Sequence, residues 1–131
     1  MIVKIKDIMI VDVKTLDVDS SVKDVVKQMK ENEIGSVIIT KDNKPTGIIT
    51  ERDIIQKIVV FDKDANKLQA KDIMSTPIIK GEKDMSLLEA IKILVLNRIK
   101  KLPIIDDQKI IGIISLFDLI RWTPLIQQIK E

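Results

Sequence analysis

Gly47-Ile48-Ile49-Thr50-Glu51-Arg52-Asp53 returns 65 residues later as Gly112-Ile113-Ile114-Ser115-Leu116-Phe117-Asp118. In each copy the β-branched run reads as a strand, and a hydroxyl residue followed three positions later by Asp reads as the start of a helix. Lys6-Asp7-Ile8-Met9 returns at the same offset as Lys71-Asp72-Ile73-Met74. Between these ends Asp19, Ser21, Asn32, Ile34, Ile39, Asp42 and Lys44 meet the same residue at Asp84, Ser86, Asn97, Ile99, Ile104, Asp107 and Lys109, with no insertion or deletion. A register held over that length is an internal duplication.

Ser21 with Asp24, and Ser86 with Glu89, are further helix starts. The apolar stripes Val22, Val25, Val26, Met29 and Leu87, Ala90, Ile91, Leu94 each describe an amphipathic helix of about three turns. Val37-Ile38-Ile39-Thr40 and Leu102-Pro103-Ile104-Ile105 read as strands, each followed by a polar turn and the Gly-Ile-Ile strand. Each copy thus predicts a β-hairpin with a loop of about four to six residues, in which Gly47 and Gly112 read as turn exits. Pro103 argues for an edge strand or a strand's first residue. A final helix carries Ile54, Ile55 and Ile58 in one copy, and Leu119 and Ile120 in the other. A short extended lead-in precedes the whole. The polar stretch Asp62-Lys63-Asp64-Ala65-Asn66-Lys67 has neither period and reads as a linker. Expected boundaries are residues 1–61 for repeat one, 62–70 for the linker and 71–131 for repeat two. Neither repeat alone buries much surface, so two packed face to face, sharing one core about a pseudo-two-fold, are expected.

At 131 residues and 45% hydrophobic, the chain suits one domain with a real core. The lack of Cys and His removes disulfides, thiolate nucleophiles, thiolate or imidazole metal sites and imidazole bases. Net charge of +2 implies no strong polyanion field, and two Phe, one Trp and no Tyr leave little for stacking on nucleic-acid bases, so nucleic acid is an unexpected partner. No apolar run approaches the roughly 18 residues of a membrane span, and the charged start is unlike a signal peptide. A cytoplasmic, non-membrane protein is expected.

The tandem arrangement of Lys-Asp-Ile-Met, capped helix, hairpin and Gly-Ile-Ile-Thr/Ser-x-x-Asp closely resembles a pair of cystathionine beta-synthase (CBS) domains. Leu102-Pro103-Ile104-Ile105-Asp106 is similar to that family's second-strand signature. The resemblance runs from about residue 6 to 121 with no catalytic domain attached. It implies an α/β (α+β) fold, two pseudo-symmetric β-α-β-β-α repeats packed sheet to sheet into one domain. It also implies a non-enzymatic, stand-alone regulatory module that binds an adenosyl ligand in two inter-repeat clefts: AMP, ADP or ATP, in some members S-adenosylmethionine or NAD. No cofactor is required. A homodimer and a protein partner of unknown identity are implied as well. Carried onto this sequence, the resemblance puts Asp53 and Asp118 on ribose hydroxyls and Thr50 and Ser115 near ribose or phosphate. Ile78 and Ile79 form an apolar wall for adenine, and Thr15 is a further contact.

Elementary chemistry supports these roles. A carboxylate accepts from vicinal hydroxyls, and a strand-to-helix turn offers N–H groups to a phosphate. Lys100 and Lys101 supply cations beside the second strand, at the positions of Gly35 and Ser36 in copy one; Arg52 and Arg98 are further candidates. The same residues also read structurally. Thr50 and Ser115 cap helices, Lys100 and Lys101 favour a helix C-terminus, Arg52 is a solvated charge and Ile78-Ile79 pack a core. Ile10-Val11 stands where copy two has Ser75-Thr76, so the two clefts are chemically unequal and one is expected to bind better. Three other functions compete. One is a ligand-independent dimerisation or interaction module using Ile54, Ile55, Ile58, Leu119, Ile120 and Trp122, the last placed where the helix runs toward Thr123-Pro124. Another is a metal-dependent hydrolase using Asp106 and Asp107, which sit where turns favour acids in any case. The last is nucleic-acid binding.

Overall fold

The computed structural model describes residues 3–122. In chain order its elements are α1 (Ile5–Ile8), β1 (Thr15–Asp17), α2 (Val22–Asn32), β2 (Ser36–Lys41), β3 (Lys44–Thr50), α3 (Glu51–Ile54), a π-helical turn Ile55–Val59, α4 (Ala70–Ile73), α5 (Leu87–Asn97), β4 (Lys101–Asp106), β5 (Lys109–Ser115) and α6 (Leu116–Arg121). Helices and two small sheets give the mixed α/β fold that the duplication predicts. Thr123-Pro124 lie outside the described residues.

Both long helices begin on their serines. Ser21 Oγ accepts from the Asp24 N–H at 3.0 Å and Ser86 Oγ from the Glu89 N–H at 3.1 Å, satisfying donors that a helix start leaves unpaired. In α2 the two preceding donors also have partners: Val22 N–H reaches Leu68 O at 2.8 Å and Lys23 N–H reaches Ala65 O at 3.0 Å. The polar stretch between the copies therefore has a structural task. Its Ala65 and the following Leu68 pack on the adjacent core. Both helices end on a left-handed non-glycine residue, Glu33 and Arg98, with the following N–H returning to Met29 O and Leu94 O at 3.0 Å. Arg98 is thus a helix stop on the surface.

The hairpins are tighter than the sequence suggests. β2–β3 and β4–β5 turn through two residues each, Asp42-Asn43 and Asp107-Gln108, all with φ between 50° and 63°. This is the type I′ geometry, whose twist matches the strands; Lys41, Lys44, Asp106 and Lys109 consequently belong to the ladder. Asp107 is a turn residue, and Asp106 pairs with Lys83 at 3.2 Å. Each ladder slips once, at Ile39/Thr40 and at Ile104/Ile105. Gly47 and Gly112 lie inside β3 and β5 with no positive φ, so they are not turn exits.

The chain folds into two compact units, Val13–Ile78 and a second that joins the residues up to Asp12 to those from Ile79 onward. The first has a core of Val22, Val25, Met29, Val37, Ile39, Ile49, Ile58, Ala70 and Ile73; the second is built on Ile5, Ala90, Leu94, Leu102, Ile104, Ile114 and Leu119. Each lead-in therefore packs with the other copy's helix and hairpin. Instead of being wholly extended, each begins with one helical turn, α1 or α4, closed by an Asp: Asp7 Oδ2 accepts from Lys4 N–H at 2.9 Å and Asp72 Oδ2 from Gln69 N–H at 2.8 Å. The next residue, Met9 or Met74, lies against the glycine of the Gly-Ile-Ile strand. A Cβ on Gly47 would stand 2.7 Å from Met74 Sδ, and one on Gly112 would collide with Met9 Sδ. The two repeated motifs are thus the two sides of one contact.

Pro103 sits on an edge of its hairpin, as its missing N–H predicts. In the Val13–Ile78 unit the equivalent Ile38 N–H donates to Lys14 O at 3.2 Å, and β1 runs parallel to β2. Without that donor, the other unit keeps only an isolated bridge at Gly81, whose N–H reaches Pro103 O at 2.8 Å.

Candidate functional site

Alternation along the strands sends Val37, Ile39 and Ile49 into the helix-backed core, and Ser36, Ile38, Ile48 and Thr50 to the opposite face. Ser36 and Thr50 are cross-strand partners, and Thr15, beside Ile38 in the parallel ladder, shares their face. In the other unit Lys101 and Ser115 are cross-strand partners, and Lys100 O accepts from Leu116 N–H at 2.9 Å. The fold thus gathers Ser36, Thr50 and Asp53 at one strand-to-helix turn, and Lys100, Lys101, Ser115 and Asp118 at the other. Arg52 is exposed on the first turn of α3. Half-buried Ile78 ends one unit and exposed Ile79 resumes the other.

Both turns are reciprocal capping boxes. Thr50 Oγ1 accepts from Asp53 N–H at 3.3 Å while Thr50 N–H donates to Asp53 Oδ2 at 2.9 Å; Ser115 Oγ accepts from Asp118 N–H at 3.0 Å while Ser115 N–H donates to Asp118 Oδ2 at 3.1 Å. In both copies one carboxylate oxygen is used to start the helix. The other oxygen differs. Asp53 Oδ1 accepts from Ser75 Oγ at 3.2 Å and lies 3.0 Å from Lys57 Nζ, which also donates to Ile73 O at 2.7 Å. Asp118 Oδ1 has no partner among the described residues, and the carboxylate is half-buried where Asp53 is 7% exposed. Ser75 and Lys57 belong to neither repeated motif; the sequence marks Ser75 only as the counterpart of Ile10, and does not single out Lys57. Each nevertheless carries a signal, an Asp-to-Lys spacing of four on a helix and a Ser where copy one has Ile10.

The charged residues beside the two turns also differ. Glu51 puts Oε1 2.9 Å from where a Cβ on Gly35 would lie, while the equivalent positions of the other copy hold Leu116 and Lys100. Among the described residues there is no group of three or more His, Cys, Asp or Glu side chains placed to share a metal ion. Nor is any helix among them long and apolar enough to cross a membrane.

Comparison with known proteins agrees with this architecture. The CBS domain family matches residues 5–60 and 70–124. An uncharacterised protein of Methanopyrus kandleri is 41% identical over 92% of this chain, which spans 63% of that relative's length. A second uncharacterised protein, from Methanocaldococcus jannaschii, is 31% identical over 91% of this chain and 90% of its own. Among solved structures, a hexameric CBS-CP12 protein from bloom-forming cyanobacteria superposes with a TM-score of 0.87 at 27% identity, covering 97% of this chain and 75% of that one. Two family matches that coincide with two hairpin-and-helix copies lead to one conclusion: the chain belongs to the CBS domain family, as a tandem pair.

Proposed function

We propose that this CBS pair is a regulatory module that binds an adenosyl ligand, with AMP, ADP or ATP foremost, and passes the binding event to a protein partner. The observation that carries the reading is the Ser115–Asp118 turn. A half-exposed carboxylate keeps one oxygen for a ribose diol, a hydroxyl lies beside it, and Lys100 and Lys101 stand at the same strand end for phosphate. Differential contact with two conformations is then enough to signal, and no catalytic group is called for. The test is a thermal-shift screen against AMP, ADP, ATP, NAD, S-adenosylmethionine and a guanosine control. Ligand at a hundred times its Kd adds about 2.7 kcal/mol, a shift of several degrees. A shift confined to adenosyl compounds and lost in Asp118→Ala supports the reading; no shift with any of them rejects it.

Exposed apolar side chains support a second role, self-association. One unit presents Ile55, Val59, Val60 and Phe61, and the other Leu88, Leu96, Phe117, Ile120 and Trp122. Ile58 and Leu119 are core residues and Ile54 is partly buried, so the surface part of the helical stripe is Ile55, Ile120 and Trp122. A homodimer is the expected assembly, and the hexameric relative is in keeping with an associating family. Sedimentation equilibrium on the wild type and on Phe117→Ser checks it, since a monomer at all concentrations would leave that apolar surface without this use.

A further inference from the structure

Resting on the adenosyl-ligand reading, we infer that the Thr50–Asp53 turn is latched shut by Lys57 and Ser75, so that each chain takes one ligand, at Asp118. An ionised carboxylate has about four acceptor positions. At Asp53 the donors fill them: Thr50 N–H at 2.9 Å and Thr50 Oγ1 at 3.2 Å on Oδ2, Ser75 Oγ at 3.2 Å and Lys57 Nζ at 3.0 Å on Oδ1. A ribose diol has nothing left to bond to unless it displaces the ammonium, which is itself held by Ile73 O. Displacement would part a charge pair whose carboxylate is almost wholly buried, an unfavourable exchange for two neutral hydroxyls. Glu51, over Gly35, adds a negative charge where a phosphate would approach. Neither latch residue has a counterpart in the unit that holds Ser115 and Asp118, where the positions equivalent to Ser75 and Lys57 are held by Ile10 and Trp122.

Titration calorimetry of the intact chain with AMP, ADP and ATP in turn, for the wild type, Lys57→Met and Lys57→Met/Ser75→Ile, tests this. Expected are one site per chain in the wild type and a second site, weaker because Glu51 remains, in the unlatched variants. A second measurement needs no variant: on saturation of the wild type, the Asp118 carboxyl 13C resonance moves and that of Asp53 does not. Two sites in the wild type, movement of the Asp53 resonance, or a stable unlatched variant that still binds one ligand would overturn the latch while leaving the ligand reading intact. Absence of binding by all three nucleotides would reject both.

Discussion

At the scale of single residues, the repeated glycines and the repeated methionines explain each other. An added methyl at Gly47 meets Met74 Sδ at 2.7 Å and the Ser75 carbonyl at 2.9 Å; at Gly112 the nearest backbone atom, Ile10 O, is 3.2 Å away and the main obstacle is the flexible Met9 side chain. Both Gly→Ala changes are expected to destabilise by about 1–3 kcal/mol, Gly47→Ala the more. Urea unfolding checks this, and adding Met9→Ala is expected to recover most of the loss at Gly112, whereas Met74→Ala recovers less at Gly47. Surface charge gives a second residue-scale expectation. The Lys6 hydrogen bond, opposed in part by desolvation, holds the Asp84 carboxyl below the usual carboxylate range, while the bond and charge of Asp19 raise Lys71. A lowered carboxyl contributes stability above its unfolded pKa of about 3.9 and loses it as pH falls through the folded value. A raised Lys contributes below about 10.4 and loses it as pH rises through its own. Carboxyl 13C titration should therefore place the Asp84 midpoint below that of an ordinary Asp, and return it upward in Lys6→Met or at high salt.

Among elements, one imino acid distinguishes the two sheets. Ile38 offers an N–H to Lys14 O and supports β1, whereas Pro103 at the matching position offers none and leaves the bridge at Gly81. Pro103→Ile restores the donor opposite residue 79. Hydrogen exchange is expected to show a protected amide at 103; rapid exchange there would mean that something other than the missing donor limits the parallel pairing. Much of this level was legible in the sequence because it is local: the helix starts at Ser21 and Ser86 and the edge position of Pro103 follow from neighbouring residues. The hairpin loops were not, since four polar residues such as Lys41-Asp42-Asn43-Lys44 suit a long turn as well as a two-residue one, and only the ladder pairing Lys41 with Lys44 decides between them.

For the whole molecule, the division into units cuts across the order of the repeats. Core residues Ala70 and Ile73 belong with Val22, Val25 and Ile49, so a fragment of residues 13–78 keeps its core, while one of residues 1–61 lacks both of them and Leu68. The expected outcome is cooperative urea unfolding for 13–78 and none for 1–61, by circular dichroism. Equal cooperativity in the two fragments would mean that the lead-in contact contributes little.

The amino-acid sequence by itself determined the duplication, the capped helices, the paired strands and the four motif residues Thr50, Asp53, Ser115 and Asp118, since each is written in spacings of a few residues or in one constant offset. It also marked the copies as unequal at Ile10-Val11 and at Lys100-Lys101. Only tertiary structure decided which lead-in covers which glycine, that Ser75 and Lys57 fill the acceptors of Asp53, and that Asp118 Oδ1 has no partner among the described residues. These contacts join residues brought together by the path of the chain, and satisfaction of a carboxylate depends on every donor within hydrogen-bond reach in space, which periodicity along one strand or helix does not encode.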